Sequence, residues 1–321
     1  MKYAKILALS AVALVLLGIM LISAAIWKGE HNMGKDRVEQ SFQITESFRD
    51  IQIDCDACDL RIEPAGGREA SVHYAGDKRY LPKVEVREGA LYVDAREDRN
   101  LPWYQRIGFG FHSWNDNHLT VSLPEEALGT LRIKQASGKT DLVEGLSFAA
   151  VDLRTYSGAT ELSCTVEGRL LVDSSSGSVS LRDIRCGSAE LESASGGLRV
   201  SDMTVDDKLK IRHSSGATTL ENVRCGSLDI DSASGEVSLT DTLAEGDFTV
   251  NNSSGAIRLS DCDGGELSLH TGSGRISGTV RTEKIFYAQS GSGSVRVPES
   301  SSGGVCRAKT GSGSIDLDIT K

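Results

Sequence analysis

Ser-Gly pairs recur along the C-terminal two-thirds of this 321-residue chain with almost no drift. The glycines are Gly138, Gly158, Gly177, Gly196, Gly216, Gly235, Gly255, Gly274, Gly293 and Gly313, and successive ones lie 19 or 20 residues apart. A short period kept over such a length builds a solenoid, in which each repeat is one coil stacked on its neighbour. A solenoid has faces, ends and insertions but no central pocket, so function is sought on those surfaces.

Each coil is read by counting from its glycine. Positions −7 and −5 are apolar, as in Leu131/Ile133, Val151/Leu153, Leu209/Ile211 and Phe248/Val250. Positions +2 and +4 are mostly apolar too, as in Val179/Leu181, Val237/Leu239 and Ile315/Leu317. Spacing by two marks a strand with one buried face. The parity changes at the glycine, which a straight strand cannot do, so the Ser-Gly pair is a corner. The corner residues include Ser137, Gly138, Ser176, Gly177, Ser215, Gly216, Ser254, Gly255, Ser292 and Gly293. A coil then reads as strand, corner, strand and a wider turn. The serines at −1 and the small polar residues at −3 (Thr155, Ser174, Ser193, Ser232, Asn252, Thr271) are both expected to point inward and bond along the stack. Ten serines sharing one structural role argue against any one of them being a nucleophile. At +6, Glu144, Asp183, Asp202, Asn222, Asp241 and Asp261 suggest a local polar turn. A calcium ladder is the sharper reading, but the glycine-rich nonapeptide pattern it requires is missing.

The fold class is therefore all-β: a parallel β-helix, or β-solenoid, of about ten 19–20-residue coils over 131–321, preceded by a β-rich N-terminal cap over 41–130. Residues 28–40 form a polar linker. Residues 1–27 stand apart: Lys2 and Lys5 precede an uncharged run from Ile6 to Trp27, long enough for one transmembrane helix. The early lysines favour a cytoplasmic N-terminus. The expected localisation is a single-pass cell membrane protein, held by residues 6–27, with its C-terminal domain extracytoplasmic. Cleavage after Ser23-Ala24-Ala25 is the other reading. A net charge of −10 disfavours nucleic acid as a partner.

The seven cysteines are an odd set. Cys186 and Cys225 share position +9 two coils apart, about 10 Å by strand spacing, too far for a disulfide. Cys55 and Cys58 form a lone CxxC flanked by Asp54, Asp56 and Asp59, which raise thiol pKa. They are open to three readings: core or turn cysteines, a local disulfide, or redox or metal chemistry.

Within 41–130 the alternation continues without the Ser-Gly period, and the stretch VREGALYV reads as a hairpin. One segment, 101–118, breaks the pattern. It gathers Trp103, Tyr104, Phe109, Phe111, His112 and Trp114, in a chain with only 17 aromatic residues. It is the candidate binding loop, suited to sugar stacking, partner contact or the membrane surface. Packing of the aromatics against the cap is the plainer reading.

The strings DIQID, DLRIEP, VEVREGALYVDA and LTVSLPEEALGTLRIKQASGKTDL, followed by the reiterated strand–SG–strand units, resemble a bacterial putative-adhesin domain family of unknown function. The resemblance spans about residues 40–320. It implies a single-domain parallel β-helix tethered in the cell envelope, and it brings no catalytic residues.

The expected role is a non-enzymatic, membrane-anchored envelope protein whose solenoid binds or scaffolds an envelope protein or wall polymer, with no cofactor. One alternative is a regulatory sensor of envelope stress acting through a membrane partner. Another is a polysaccharide-active β-helix enzyme drawing on carboxylates such as Glu161, Glu190, Glu192, Glu221 and Glu236.

Overall fold

The computed structural model describes residues 37–97, 117–126 and 128–320. The apolar run 6–27 and the loop residues Trp103, Tyr104, Phe109, Phe111, His112 and Trp114 lie outside the described residues. Among the described residues no helix is long and apolar enough to cross a membrane.

Seven strands precede the repeats: β1 (Arg37–Ile44), β2 (Asp50–Ala57), β3 (Asp59–Pro64), β4 (Ala70–Asp77), β5 (Lys83–Arg87), β6 (Ala90–Ala95) and β7 (His118–Leu123). The first repeats supply β8 (Leu128–Ser137), β9 (Thr140–Leu142), β10 (Ser147–Thr155), β11 (Thr160–Leu162) and β12 (Thr165–Ser174). The middle ones are longer: β13 (Val179–Ser195), β14 (Leu198–Ser215) and β15 (Thr218–Ser234). Then come β16 (Val237–Ala244), β17 (Asp247–Ser254), β18 (Ile257–Cys262), β19 (Glu266–Ser273) and β20 (Ile276–Val280). The last are β21 (Lys284–Ser290), β22 (Val295–Arg296), β23 (Gly304–Thr310) and β24 (Ile315–Ile319). All belong to one wound sheet.

Successive coils pair parallel and in register, as the period requires. The −7 column runs Leu131, Val151, Leu170, Ala189, Leu209, Leu228, Phe248, Leu267, each paired with the next. All are buried, and they form the spine of the core. Cys186, Val205 and Cys225 stack in another buried column, which explains these cysteines as small apolar fillers.

The Ser-Gly corner is held by close backbone approach. A methyl group on Gly235 would lie 1.9 Å from the Gly216 carbonyl oxygen, and Gly235 has φ +113°. The last three corners, Gly274, Gly293 and Gly313, do without the left-handed backbone but keep the same approach, at 2.0, 1.9 and 2.0 Å. The −3 residues point inward as expected, and several cap the corner. Asn252 Nδ2 donates to the Gly235 carbonyl (2.8 Å), Thr271 Oγ1 to that of Gly255 (2.9 Å) and Thr310 Oγ1 to that of Gly274 (2.9 Å).

Two local expectations are corrected. The −1 serines do not point inward: Ser176, Ser215, Ser254 and Ser292 are exposed, and Ser137 is half-buried. Strand alternation from the buried −3 residue already places −2 outside, and the bend then holds −1 outside as well. There the hydroxyl donates to a carbonyl one coil earlier, as from Ser195 to Ser175 (3.3 Å) and Ser234 to Ser214 (3.2 Å). The wide turn survives at Glu144-Gly145 in the first coil, but in later coils the +6 residue is a kink within a continuing strand. Asp183, Asp202, Asn222, Asp241 and Asp261 take φ of 47° to 58°, a left-handed kink that Asp and Asn adopt at low cost. The kink resets the parity, so Ile184/Cys186, Met203/Val205 and Val223/Cys225 face inward. Each middle coil thus has three short sides rather than two.

His213 fills the −3 position of its coil, 2% exposed, with Nδ1 2.8 Å from Thr218 Oγ1. Burial holds its pKa below the ordinary value. The folded chain therefore keeps it neutral, while the unfolded chain takes up a proton. Its contribution is complete above about pH 6.5 and is lost as the pH falls through that value. Gln135, bonded to Thr140 in the same arrangement, shows that glutamine fits there. His213→Gln is expected to shrink the drop in urea midpoint between pH 7.5 and 5.5.

The ends depart from simple winding. At the C-terminal end β19 pairs with β23, and β21 pairs with the far side of β23. Likewise β20 pairs with β24, and β24 with β22. The last coil in sequence therefore sits inside the one before it. The glycine contacts agree: Gly313 packs on Gly274, and Gly293 packs on Gly313. At the N-terminal end β2 lies between β6 and β8, and β3 between β7 and β9. Two full coils are thus contained in the 41–130 region. The cap proper is antiparallel: β4 pairs with β7, β1 with β4 and β5 with β6. The β5–β6 hairpin turns at Glu88-Gly89, both with positive φ, as VREGALYV anticipates.

Candidate binding site

The aromatic segment lies in sequence between β6 and Asn117, and the described residues on either side of it, its roots, are tied to one corner. That corner is Asp56-Ala57-Cys58-Asp59, the β2–β3 bend, which stands where later coils carry Ser-Gly. Ala57 pairs with Ser137, and the Cys58 N–H donates to the Ser137 carbonyl (3.3 Å). At the outgoing root, the Glu97 N–H donates to Asp56 Oδ2 (2.9 Å). At the returning root, Asn117 Nδ2 donates to the Ala57 carbonyl (2.7 Å), and the Asp59 N–H donates to the Asn117 carbonyl (2.7 Å). Asn117 Oδ1 accepts from the Asp77 N–H (2.8 Å), while the Tyr74 hydroxyl, 3.3 Å from it, donates to the Asp77 carbonyl (2.7 Å). Asn117 is 8% exposed, so the root is fixed by satisfied buried bonds rather than by surface contact.

Beside the returning root lies a shallow groove lined by Asp59, Leu60, Arg61, His118, Thr120, Lys139 and Asp141. Register puts Asp59 opposite His118 and Arg61 between Thr120 and Asp141. Arg61 contacts Glu63 and Asp141, each at 2.7 Å. Bonding to Glu63, reinforced by Asp141, holds its guanidinium further toward the charged form. Lys139 Nζ contacts Glu161 at 2.8 Å, which raises the lysine pKa, and the Lys139 N–H donates to Asp59 Oδ1 (2.8 Å). His118 Nδ1 stands 3.9 Å from Asp59 Oδ2, beyond hydrogen-bond reach. The groove offers fixed alternating charges beside an exposed imidazole, an arrangement suited to a polar, multiply hydroxylated or charged ligand.

Cys55 and Cys58 are the buried floor of this corner. Bonding to Cys58, then burial, pushes the Cys55 thiol well above its ordinary value. Burial also raises Cys164, Cys186, Cys225 and Cys306 to about 12 and Cys262 to about 11. Thiols so shifted are poor nucleophiles at neutral pH. Among the described residues no cluster of three or more His, Cys, Asp or Glu side chains could hold a metal ion.

The carboxylates weighed for sugar chemistry are mostly engaged in surface ion pairs. Glu161 pairs with Lys139, Glu236 with Arg258, and Glu190 with Arg169 (2.6 Å) and Arg212 (3.2 Å). Glu192 shares Arg212. A second groove lies near the other end, lined by residues including Arg258, Gly278, Arg296 and Asp316. Its depth comes from Gly278, which replaces the core leucine of its neighbours Leu259 and Leu317. That break in the +4 column was visible in the sequence. The roles of Asp56 and Asn117 were not, because they act on backbone groups far away in sequence.

The described residues thus define a β-solenoid whose segment 98–116 is inserted between β6 and β7, near one end. The chain belongs to the Toastrack DUF4097 family, whose model matches residues 48–216 and again 207–321. A crystal structure from Parabacteroides distasonis, described as a putative adhesin, is similar over 88% of this chain and 98% of that one, at 14% identity and TM-score 0.48. A second from that organism, described as a putative lipid binding protein, gives 13% identity and TM-score 0.44 over 88% and 97%. One from Bacteroides fragilis, described as a putative adhesin, gives 13% and 0.39 over 89% and 98%. No curated protein gives a significant match.

Proposed function

We propose that the chain is a non-enzymatic, adhesin-like binding protein of the cell envelope, tethered by residues 6–27 and presenting its ligand contacts at the N-terminal end of the solenoid. The observation that carries this reading is the fixing of both roots of an aromatic-rich segment to one rigid corner beside a charged groove. Aromatic faces stack on sugar rings or apolar patches, while Arg61, Lys139 and Asp141 hydrogen-bond polar groups. A wall polymer is the ligand this combination fits best.

Retention of the full chain on isolated wall polymer tests it. Trp103→Ala/Trp114→Ala and Arg61→Ala are each expected to lower retention at least tenfold. Lys309→Ala, which removes an exposed side chain near the other end of the solenoid, is expected to leave it unchanged. Equal retention by all variants would contradict the reading. Resistance of the full chain to alkaline extraction from membranes, lost on deleting 6–27, tests the tether separately.

A further inference from the structure

The two ends of the solenoid are finished differently. The outer strands at the N-terminal end carry charge along their edges. On β5 these are Lys83, Glu85 and Arg87, all exposed, and on β1 they include Glu39. Charged edge strands are the usual defence against edge-to-edge pairing. At the C-terminal end the outermost strand is β21, Lys-Ile-Phe-Tyr-Ala-Gln-Ser. Among the described residues only β23 pairs with it, so its other edge is open. Its single charge, Lys284, is turned inward onto Asp263 (2.6 Å) and the Gly264 carbonyl (2.8 Å). Ile285, Phe286 and Ala288 are only half-buried, and Tyr287 is 62% exposed. Val295 of the same coil is 43% exposed. Nothing on this strand discourages pairing.

We propose that β21 is a self-association edge, and that its occupant is β21 of a second copy, paired antiparallel about a two-fold axis. Self-complementarity supports this choice. With Tyr287 on the axis, Phe286 faces the partner's Ala288, Ile285 faces the partner's Gln289, and Lys284 faces the partner's Ser290. No like charges meet, and the apolar core of one solenoid continues into the other. A copy stacked parallel would instead have to meet the charged, antiparallel N-terminal cap. The segment 98–116 cannot cover the edge from within the same chain. Rooted at both ends, its nineteen residues reach about 33 Å, whereas β21 lies about 50 Å from β6 along the stack.

The resulting dimer is tip to tip, with the two Asp56–Asp59 corners toward its far ends. Resting on the proposed tether, it would join solenoids rooted on opposing surfaces, an adhesive geometry. Sedimentation equilibrium of the full chain in detergent tests the pairing without reference to the wall-polymer reading. A reversible dimer is expected, with Tyr287→Lys/Gln289→Lys weakening it at least tenfold. Glu85→Lys on the guarded edge should have no effect. Tyr287→Cys is expected to give a covalent dimer under mild oxidation, linked through that residue. A monomer at 100 µM, a dimer insensitive to the double substitution, or open-ended polymers would each overturn the proposal. Vesicles bearing the full chain should cluster, and those bearing the double variant should not. Dimers in solution without clustering would confine the pairing to one surface and overturn the bridging role alone.

Discussion

Gly235→Ala is expected to destabilise the chain by about 4 kcal/mol, the sum of a left-handed backbone penalty and an overpacked contact. The methyl group has no room: it meets the Gly216 carbonyl oxygen, whose own glycine packs on Gly196. Relief at one corner would push the next, because the corners form one continuous column. The neighbouring residue Gly197 is the control. It has nothing within 4 Å of an added methyl and no left-handed φ, so Gly197→Ala should change the urea midpoint by less than about 0.5 kcal/mol equivalent. In a solenoid the damage need not be global, since neighbouring coils contribute separately. Hydrogen exchange should therefore show lost protection centred on β14 to β17, decaying toward both ends. Equal stability of the two alanine variants would remove the close-approach argument.

Lys284→Ala is expected to cost about 3 kcal/mol and to release the outermost coil. Lys284 is 5% exposed and its partner Asp263 is 15% exposed, so removing the ammonium strands a largely buried carboxylate. The lysine also spans the inserted coil, reaching from β21 past Gly304 to Gly264. The expected signature is local: faster exchange across β21 and β22, with β13 to β15 unchanged. Replacing both partners, Lys284→Met/Asp263→Asn, should recover much of the loss, because neither charge is then buried alone. The pair also sets an acid response. Burial raises the Asp263 carboxyl most, but bonds from Lys284, Thr282 and the Gly264 N–H, with the Lys284 charge, together outweigh it and leave the pKa below the ordinary value. A carboxyl lowered in the folded state stabilises above the unfolded pKa of about 3.9 and loses that contribution as the pH falls through the folded one. Below about pH 3.9 the outer coil is therefore expected to lose protection from hydrogen exchange.

Sequence patterning revealed most of this fold, for a physical reason: one constraint is repeated in every coil. A corner that admits only glycine, and core columns that admit only apolar side chains, leave the same mark each time. The left-handed kink left a fainter mark, a small polar residue at +6, whose backbone meaning a column of Asp and Asn does not announce. The outward turn of the −1 serines was misread because alternation was carried through a bend that breaks it. The order of the end coils left no mark at all. Coils 284–297 and 304–319 bear the same pattern, and a pattern that every layer satisfies cannot say which layer lies next to which. Lys284 and the glycines Gly291 and Gly311 hint at it only once the neighbours are known. At the candidate site, the aromatic cluster was conspicuous in the sequence. The corner that roots it was hidden, because Asp56 and Asn117 act on backbone groups 41 and 60 residues away.

The central claim, in-register parallel coils with the last one tucked inside its predecessor, can be tested by paired cysteines on the exposed −4 column. His270 pairs with Lys309, and Lys309 with Gln289. One strand spacing, about 4.8 Å, permits a disulfide, and two, about 10 Å, do not. On oxidation, peptide mapping should find an intrachain 270–309 link in His270→Cys/Lys309→Cys and none in His270→Cys/Gln289→Cys. The opposite result, a 270–289 link without a 270–309 link, would mean that the coils stack in the order of the sequence and would contradict the architecture described here.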